Sequence, residues 1–212
     1  MGVLMSGGLD SGVLLGQLLS QPSWVRPVYV RCGLRWEDAE VYWLRRFLHA
    51  VRASNLQPLR VINLPLHSLY GSHWSFTGRM VPSATSADRA VYLPGRNVLL
   101  LTAAAIFCAE DRISTLAIGT LKGNPFGDAT PRFFRHLASC LSGALHHPIR
   151  VIAPLARVKK VQLLRGASDV PLALTFSCLK PHGHLHCGRC NKCAERSRAF
   201  RHAGLPDPTK YA

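Results

Sequence analysis

Long apolar runs are missing from this chain. The longest, Val98 to Cys108, is too short to cross a bilayer and reads as a buried helix. The N-terminus lacks a basic region ahead of an apolar one, so no secretory signal is expected. Repeats and low-complexity tracts are absent. Charged residues are few, 17% against 48% hydrophobic, which excludes a disordered chain. Acidic residues are scarcest of all: 11 Asp and Glu stand against 26 Lys and Arg, a formal net charge of +15 over 212 residues. Such a surface attracts polyphosphates, nucleic acid and other anions. A long basic block is lacking, however, and scattered basic residues suit a solvated face, so nucleic acid is not the expected partner. An even cysteine count is lacking too. Of seven cysteines, four cluster at Cys178, Cys187, Cys190 and Cys193, while Cys32, Cys108 and Cys140 stand alone in apolar settings. That pattern argues against a disulfide framework and for a reducing, cytoplasmic compartment with a metal site.

What is present begins at once. The apolar run Val3-Leu4-Met5 reads as a buried strand end. Ser6-Gly7-Gly8-Leu9-Asp10-Ser11-Gly12 follows, then the helical pattern Val13, Leu14, Leu18, Leu19. Strand, glycine turn and helix start together make an anion site. Glycine lets a ligand approach the backbone, and the unpaired N–H groups of the first helical turn point outward with the helix dipole behind them. Ser6 and Ser11 add hydroxyls. Asp10 cannot attract a phosphate itself; it suits holding the loop or a Mg²⁺ ion. A plain turn followed by an N-cap is the simpler reading of the same residues. No Gly-Lys-Ser/Thr follows and the third glycine of a dinucleotide fingerprint is missing, so neither of those phosphate loops applies.

Further along, Val25–Val30 and Leu59–Leu64 read as strands around a helix over Glu37–Val51, a β-α-β-α-β run typical of a parallel sheet. Residues 65–94 form a long irregular stretch whose aromatics suggest an ordered lid. Asn97 reads as the N-cap of a helix over Val98–Ala109, with Gly95 and Arg96 a second anion position. Leu116–Gly119 and Val151–Pro154 read as two more strands, with helices over Arg132–Leu145 and Val158–Leu164. An α/β fold of about five parallel strands with helices on both faces is expected. Residues 1–170 would form its main domain, and 171–212 a small C-terminal module and helix packed on it. Ligands of such sheets bind beyond the carboxyl ends of the strands. The Ser6 loop, Gly33–Trp36, the Arg96 turn and the Lys122–Asp128 loop all fall there.

The cysteine spacing, Cys-x8-Cys-x2-Cys-x2-Cys, provides four thiolates for one tetrahedral Zn²⁺, closed and structural. His182, His184 and His186 are alternative ligands, and an iron–sulfur cluster is the competing metal.

Ser6–Ser11 resembles the SGGxDS loop of the N-type ATP pyrophosphatases, which have an adenine-nucleotide α-hydrolase-like fold. Adding Pro94-Gly-Arg-Asn97, Thr175-x-Ser-Cys178, Cys187-Gly-Arg-Cys190-x2-Cys193-x2-Arg196-x3-Phe200 and the ending Asp207-Pro208…Tyr211, the chain resembles the 7-cyano-7-deazaguanine synthase family from end to end. The resemblance implies an ATP-dependent ligase of queuosine biosynthesis. It would adenylate 7-carboxy-7-deazaguanine, let ammonia form the amide, and dehydrate that amide with a second ATP. It implies that Met5–Gly12, Gly95 and Arg96 bind ATP, that Asp10 supports Mg²⁺ or the loop, that Asp10, Ser11 and Arg96 serve catalysis, and that the four cysteines hold zinc. A homodimer is expected by analogy. Three departures stand out. Cys32-Gly-Leu-Arg-Trp-Glu37 replaces an aromatic-Gly-Gln-basic-His stretch, and Asn124–Pro131 replaces a Tyr-Pro-Asp-Cys-Arg-Pro segment. Only a stub precedes the loop, which raises the expectation of a natural start further upstream. The first two lie where substrate should bind, with Arg35, Trp36, Lys122, Asn124 and Asp128 as the substrate candidates. Lid or core packing competes with base stacking for Trp36 and Phe126, a helix-start charge competes with catalysis for Glu37, and a solvated position competes with phosphate or carboxylate binding for Lys122. Adenylation of another carboxylate, and tRNA modification, are the alternative functions.

Overall fold

Apolar side chains alternate along the central strands and so face two ways, as the period of a strand requires. Leu4, Val28, Val30 and Leu116 join one core cluster; Val3, Tyr29 and Ala117 join the other. Both faces must therefore be covered. In the computed structural model, which describes residues 1–212, the chain runs β1 (Gly2–Leu4), α1 (Leu9–Leu19), β2 (Arg26–Arg31), α2 (Glu37–Val51), β3 (Arg60–Asn63), α3 (His67–Tyr70), α4 (Trp74–Thr77), α5 (Arg96–Glu110), β4 (Thr115–Ala117), α6 (Pro131–Leu145), β5 (Arg150–Ile152), α7 (Lys160–Arg165) and α8 (Asn191–Ala203). All five strands are parallel, in the order β3-β2-β1-β4-β5. One core cluster takes side chains from α5 and α6, the other from α1, α2 and α7.

The strand order reverses between β1 and β4, and the loops leaving those two strands diverge there. Such a switch point is where open parallel sheets bind ligands. The chains come very close at this point. A Cβ on Gly119, just beyond β4, would lie 3.2 Å from backbone atoms of Asp10 and Ser11.

Several sequence expectations change in detail. Asp10 and Ser11 lie within the first turn of α1 and not in the preceding loop, because the helix starts at Leu9. Asn97 is not an N-cap: α5 begins at Arg96 after Gly95, whose φ of +70° suits glycine. The cap comes instead from Asp128, whose Oδ2 accepts the Asn97 N–H at 3.0 Å. The 65–94 stretch is ordered, with two short helices and Trp74 stacked on Trp36 at 5.6 Å between ring centroids. Cys140 is exposed, not apolar-packed.

The C-terminus is fastened by Arg196, 2% exposed. Its guanidinium donates to Thr175 Oγ1 at 2.8 Å and to the Leu172 carbonyl at 3.0 Å, and it also reaches Thr209 Oγ1 and Asp207. A buried guanidinium is tolerated only when its donors are all used. Removing it leaves those acceptors unpaired in the core. Arg196→Ala is therefore expected to cost about 3 kcal/mol, read as a lowered urea midpoint, whereas Arg198→Ala, at an exposed position of the same helix, should change it by less than about 0.5 kcal/mol.

Candidate functional site

The Ser6 loop holds its own shape. The Ser11 hydroxyl donates to the Gly8 carbonyl at 3.2 Å and accepts the Ser6 N–H at 3.3 Å. The Ser6 hydroxyl accepts the Gly8 N–H at 3.4 Å. From outside, the Phe176 N–H donates to the Gly7 carbonyl at 2.7 Å. Gly7 sits at φ +70°, and a Cβ there would come within 3.3 Å of the Glu40 carbonyl. These contacts leave the first N–H groups of α1 facing outward, since a helix start has no internal acceptors for them. Met5, Gly7 and Leu9 are buried beneath the loop, while Ser6 is exposed at its crest.

Beside it opens a cavity of about 460 Å³, a volume suited to a small molecule. Its walls bring together Ser6, Asp10, Ser11, Trp36, Arg96, Lys122, Asn124 and Asp128. Arg35 lies outside, exposed and packed against Gly78. Trp36 is buried, so its stack on Trp74 is wall as well as core. The candidates from the Lys122–Asp128 loop divide. The Asn124 side-chain oxygen accepts the Phe126 N–H at 3.0 Å, and Asp128 is committed to α5 as described. Phe126 stacks on Tyr92 at 4.8 Å. Lys122 remains exposed. Glu37 is a loop clamp: its two oxygens accept the Cys32 and Gly33 N–H groups at 2.6 and 2.8 Å.

Two polar atoms of the wall are buried with no protein partner, Arg96 Nε and Thr120 Oγ1. Buried donors are seldom left unpaired, so an acceptor from a ligand is the natural partner for both. Together with the glycine loop and the helix start, they make a cradle that fits a nucleotide polyphosphate.

Residues not flagged in the sequence complete the site. Lys160 Nζ donates to both oxygens of Asp10, at 2.7 and 2.9 Å, and pairs with Glu195 at 3.1 Å. Glu195 also meets Lys192 at 2.6 Å. Burial opposes the Glu195 charge, yet the two ammonium groups hold its carboxyl down at about 2. Glu40, also in the cavity wall, accepts a hydrogen bond from the Tyr29 hydroxyl at 2.7 Å. Burial pushes the Glu40 carboxyl up to about 7, with Arg96 and Tyr29 pulling the other way. Lys160 and Glu40 escaped notice because each lies in an ordinary amphipathic helix; only the packing of α7 and α2 around the loop turns them inward.

The metal residues converge as well. The ligand atoms of Cys178, Cys187, Cys190 and Cys193 lie within 4.8 Å of one another, and all four residues are buried. The Cys187–Cys193 and Cys178–Cys190 sulfurs are each 4.0 Å apart. Tetrahedral zinc with Zn–S bonds of about 2.3 Å places its sulfurs about 3.8 Å apart, so one ion fits. Backbone N–H groups of Leu179, Lys180, Cys187 and Arg189 donate to these sulfurs at 3.3–3.4 Å, as suits thiolates. His186 is occupied otherwise, its Nε2 accepting the Ser177 N–H at 3.1 Å, and His184 stacks on Tyr42.

The fold and the sequence are similar to those of known proteins. A 4-thiouridine synthetase, solved with RNA and bound ATP, superposes with a TM-score of 0.54 at 17% identity, over 96% of this chain and 50% of that one; the likeness is one of fold. The 7-cyano-7-deazaguanine synthase of Anaeromyxobacter dehalogenans is 31% identical over 99% of this chain and 94% of its own length. That of Methanothrix thermoacetophila is 30% identical over 98% and 96%. The family model described as queuosine biosynthesis protein QueC matches residues 2–204. With glycine loop, Arg96 turn and four-cysteine tail inside one continuous match, this chain belongs to the QueC family.

Proposed function

We propose that this enzyme is an ATP-dependent 7-cyano-7-deazaguanine synthase. The observation that carries the reading is the cradle at the β1/β4 switch point, where Arg96 Nε and Thr120 Oγ1 are buried without partners beside the Ser6–Ser11 loop. The relatives' names give the product, 7-cyano-7-deazaguanine, and the family resemblance implies 7-carboxy-7-deazaguanine as the substrate.

A carboxylate resists attack until one oxygen becomes part of a good leaving group. The reading assigns that activation to ATP. A carboxylate oxygen bonds to the α-phosphorus and the bond to pyrophosphate breaks. The α1 N–H groups, Ser6 and Ser11 would hold the phosphates, and Arg96 would stabilise charge as it develops. Ammonia then replaces AMP at the carbonyl carbon. In a second round the amide oxygen takes up an adenylyl group, and loss of AMP and of both nitrogen-bound protons leaves the nitrile. Asp10 is the loop carboxylate available to a Mg²⁺ that accompanies ATP, in exchange for Lys160. Zinc held by Cys178, Cys187, Cys190 and Cys193 would be structural, with no ligand position left for chemistry. The reduced thiols suit the cytoplasm, and a homodimer is the oligomer proposed by analogy.

A second reading, adenylation of a different carboxylate, draws on one observation. Asn124 and Asp128 stand where the family pattern changes, and both turn polar atoms back onto the protein.

The test is mass spectrometry of purified protein with ATP, Mg²⁺, ammonium and 7-carboxy-7-deazaguanine. The nitrile base and AMP are expected; AMP release only with some other carboxylate would replace this reading with the second. Arg96→Met should lower the rate about 10²–10³-fold with zinc content unchanged. Cys190→Ser should behave oppositely, losing zinc by elemental analysis together with most soluble protein; a folded, zinc-free and active variant would contradict the structural role.

A further inference from the structure

Glu40 has no part in the chemistry assigned so far, yet it is a buried carboxylate of the cavity wall. Its side chain comes off the first turn of α2, and its own carbonyl closes over Gly7 of the glycine loop. It therefore stands directly beside the phosphate site. Tyr29 on β2 holds Oε2 from below at 2.7 Å. The charged and titratable groups facing it are Tyr29 on β2, the Cys32 thiol just beyond β2, Glu37 on its own helix and Arg96 on α5. Glu37 is committed to two backbone N–H groups. Arg96 and Glu40 form no ion pair, and Arg96 Nε has no partner. The cavity wall thus carries a cation without an ion-pair partner and an acid whose hydrogen-bond partner is the neutral Tyr29 hydroxyl. An acyl-adenylate with an incoming nitrogen meets both demands: negative charge gathers on the carbonyl oxygen, positive charge on the nitrogen.

We propose that Glu40 is the proton acceptor for the nitrogen nucleophile, drawing ammonium to its side of the cavity and releasing it as ammonia against the activated carboxylate. The proposal rests on the adenylation reading above. Its balance is simple. Ammonium gives one proton to the Glu40 carboxylate, and the freed lone pair bonds to the carbonyl carbon. The bond from that carbon to the phosphate oxygen breaks as AMP leaves. The nitrogen loses its second proton to solvent, and Glu40 returns its own proton to solvent before the next turnover. An amine as basic as ammonia is protonated at neutral pH and cannot attack until it loses that proton. An acceptor is most effective when its own acidity lies near the working pH, and burial has brought Glu40 to about 7. The same burial has a cost for the ligand-free protein. The folded-state value lies above the ordinary 4.5, so the charge destabilises the fold as pH rises through about 7.

The test separates the two half-reactions. Carboxylate-dependent exchange of labelled pyrophosphate into ATP reports adenylation; amide formation reports the nitrogen step. Glu40→Gln is expected to keep the exchange and to lose at least about a hundredfold in ammonium-dependent amide formation near pH 7. Hydroxylamine, largely neutral at that pH, should restore turnover to the variant as the hydroxamate. The ligand-free variant should melt above the parent at pH 8 and with it at pH 5. Loss of exchange in Glu40→Gln would overturn the proposal, making Glu40 part of ATP or carboxylate binding. Undiminished ammonium use would overturn it too. Absence of exchange in the parent protein would instead sink the adenylation reading. Should Glu40→Gln not fold, Glu40→Asp carries the same comparison, with exchange kept and ammonium use lowered.

Discussion

The reversal of strand order between β1 and β4 is the constraint on which the rest of this structure depends. Two chains leave adjacent strand ends in opposite directions, and the gap between them is the only place where a ligand can reach the first turn of α1 at close range. That geometry demands small residues. Gly7 passes under α2 against the Glu40 carbonyl, and Gly119 passes against the backbone of Asp10 and Ser11. Neither position has room for a side chain without moving main chain. The glycine loop is therefore fixed by packing against α2, the Gly119 backbone and Phe176.

Charge is arranged around this gap with both signs, in a protein that is otherwise strongly basic. Asp10 and Glu195, two of only 11 acidic residues, are spent neutralising Lys160 and Lys192. The result is a network from the N-terminal loop to the C-terminal helix in which each charge has a partner. An arriving polyphosphate can compete with Asp10 and Glu195 for those lysines. Arg96 is different: it is held at the start of α5 by Gly95 and Asp128, yet its own Nε finds no partner. The far side is closed by the four cysteines, which share the core cluster of the sheet and bring α8, with Lys192 and Glu195, up to the site.

Much of this was legible in the sequence because the signals were local. Strand-glycine-helix order, the Cys-x2-Cys spacing and the period-2 and 3.6-residue patterns each need only neighbouring residues to be read. They located the five strands, the Ser6 loop, the Arg96 turn and the cysteine cluster, and they put Trp36, Lys122, Asn124 and Asp128 at one cavity. What was not legible depended on distance in the chain. Asp128 looked like a substrate residue but caps a helix that starts 32 residues earlier, and Asn97, which looked like the cap, is the residue it serves. Lys160 lies 150 residues from the Asp10 it holds. Glu40 looked like any charge on an amphipathic helix until α2 packed against Gly7. Arg35 fell in the right segment but points out of the cavity, because alternate residues of a short turn cannot all face one side.

The central claim is that the substrate carboxylate is activated by transfer of AMP to one of its oxygens. Labelling both carboxylate oxygens of 7-carboxy-7-deazaguanine with ¹⁸O tests it most directly. The account predicts that the AMP released during amide formation carries one ¹⁸O atom from the substrate. Label appearing in inorganic phosphate with ADP as the other product, or remaining wholly out of AMP, would contradict it.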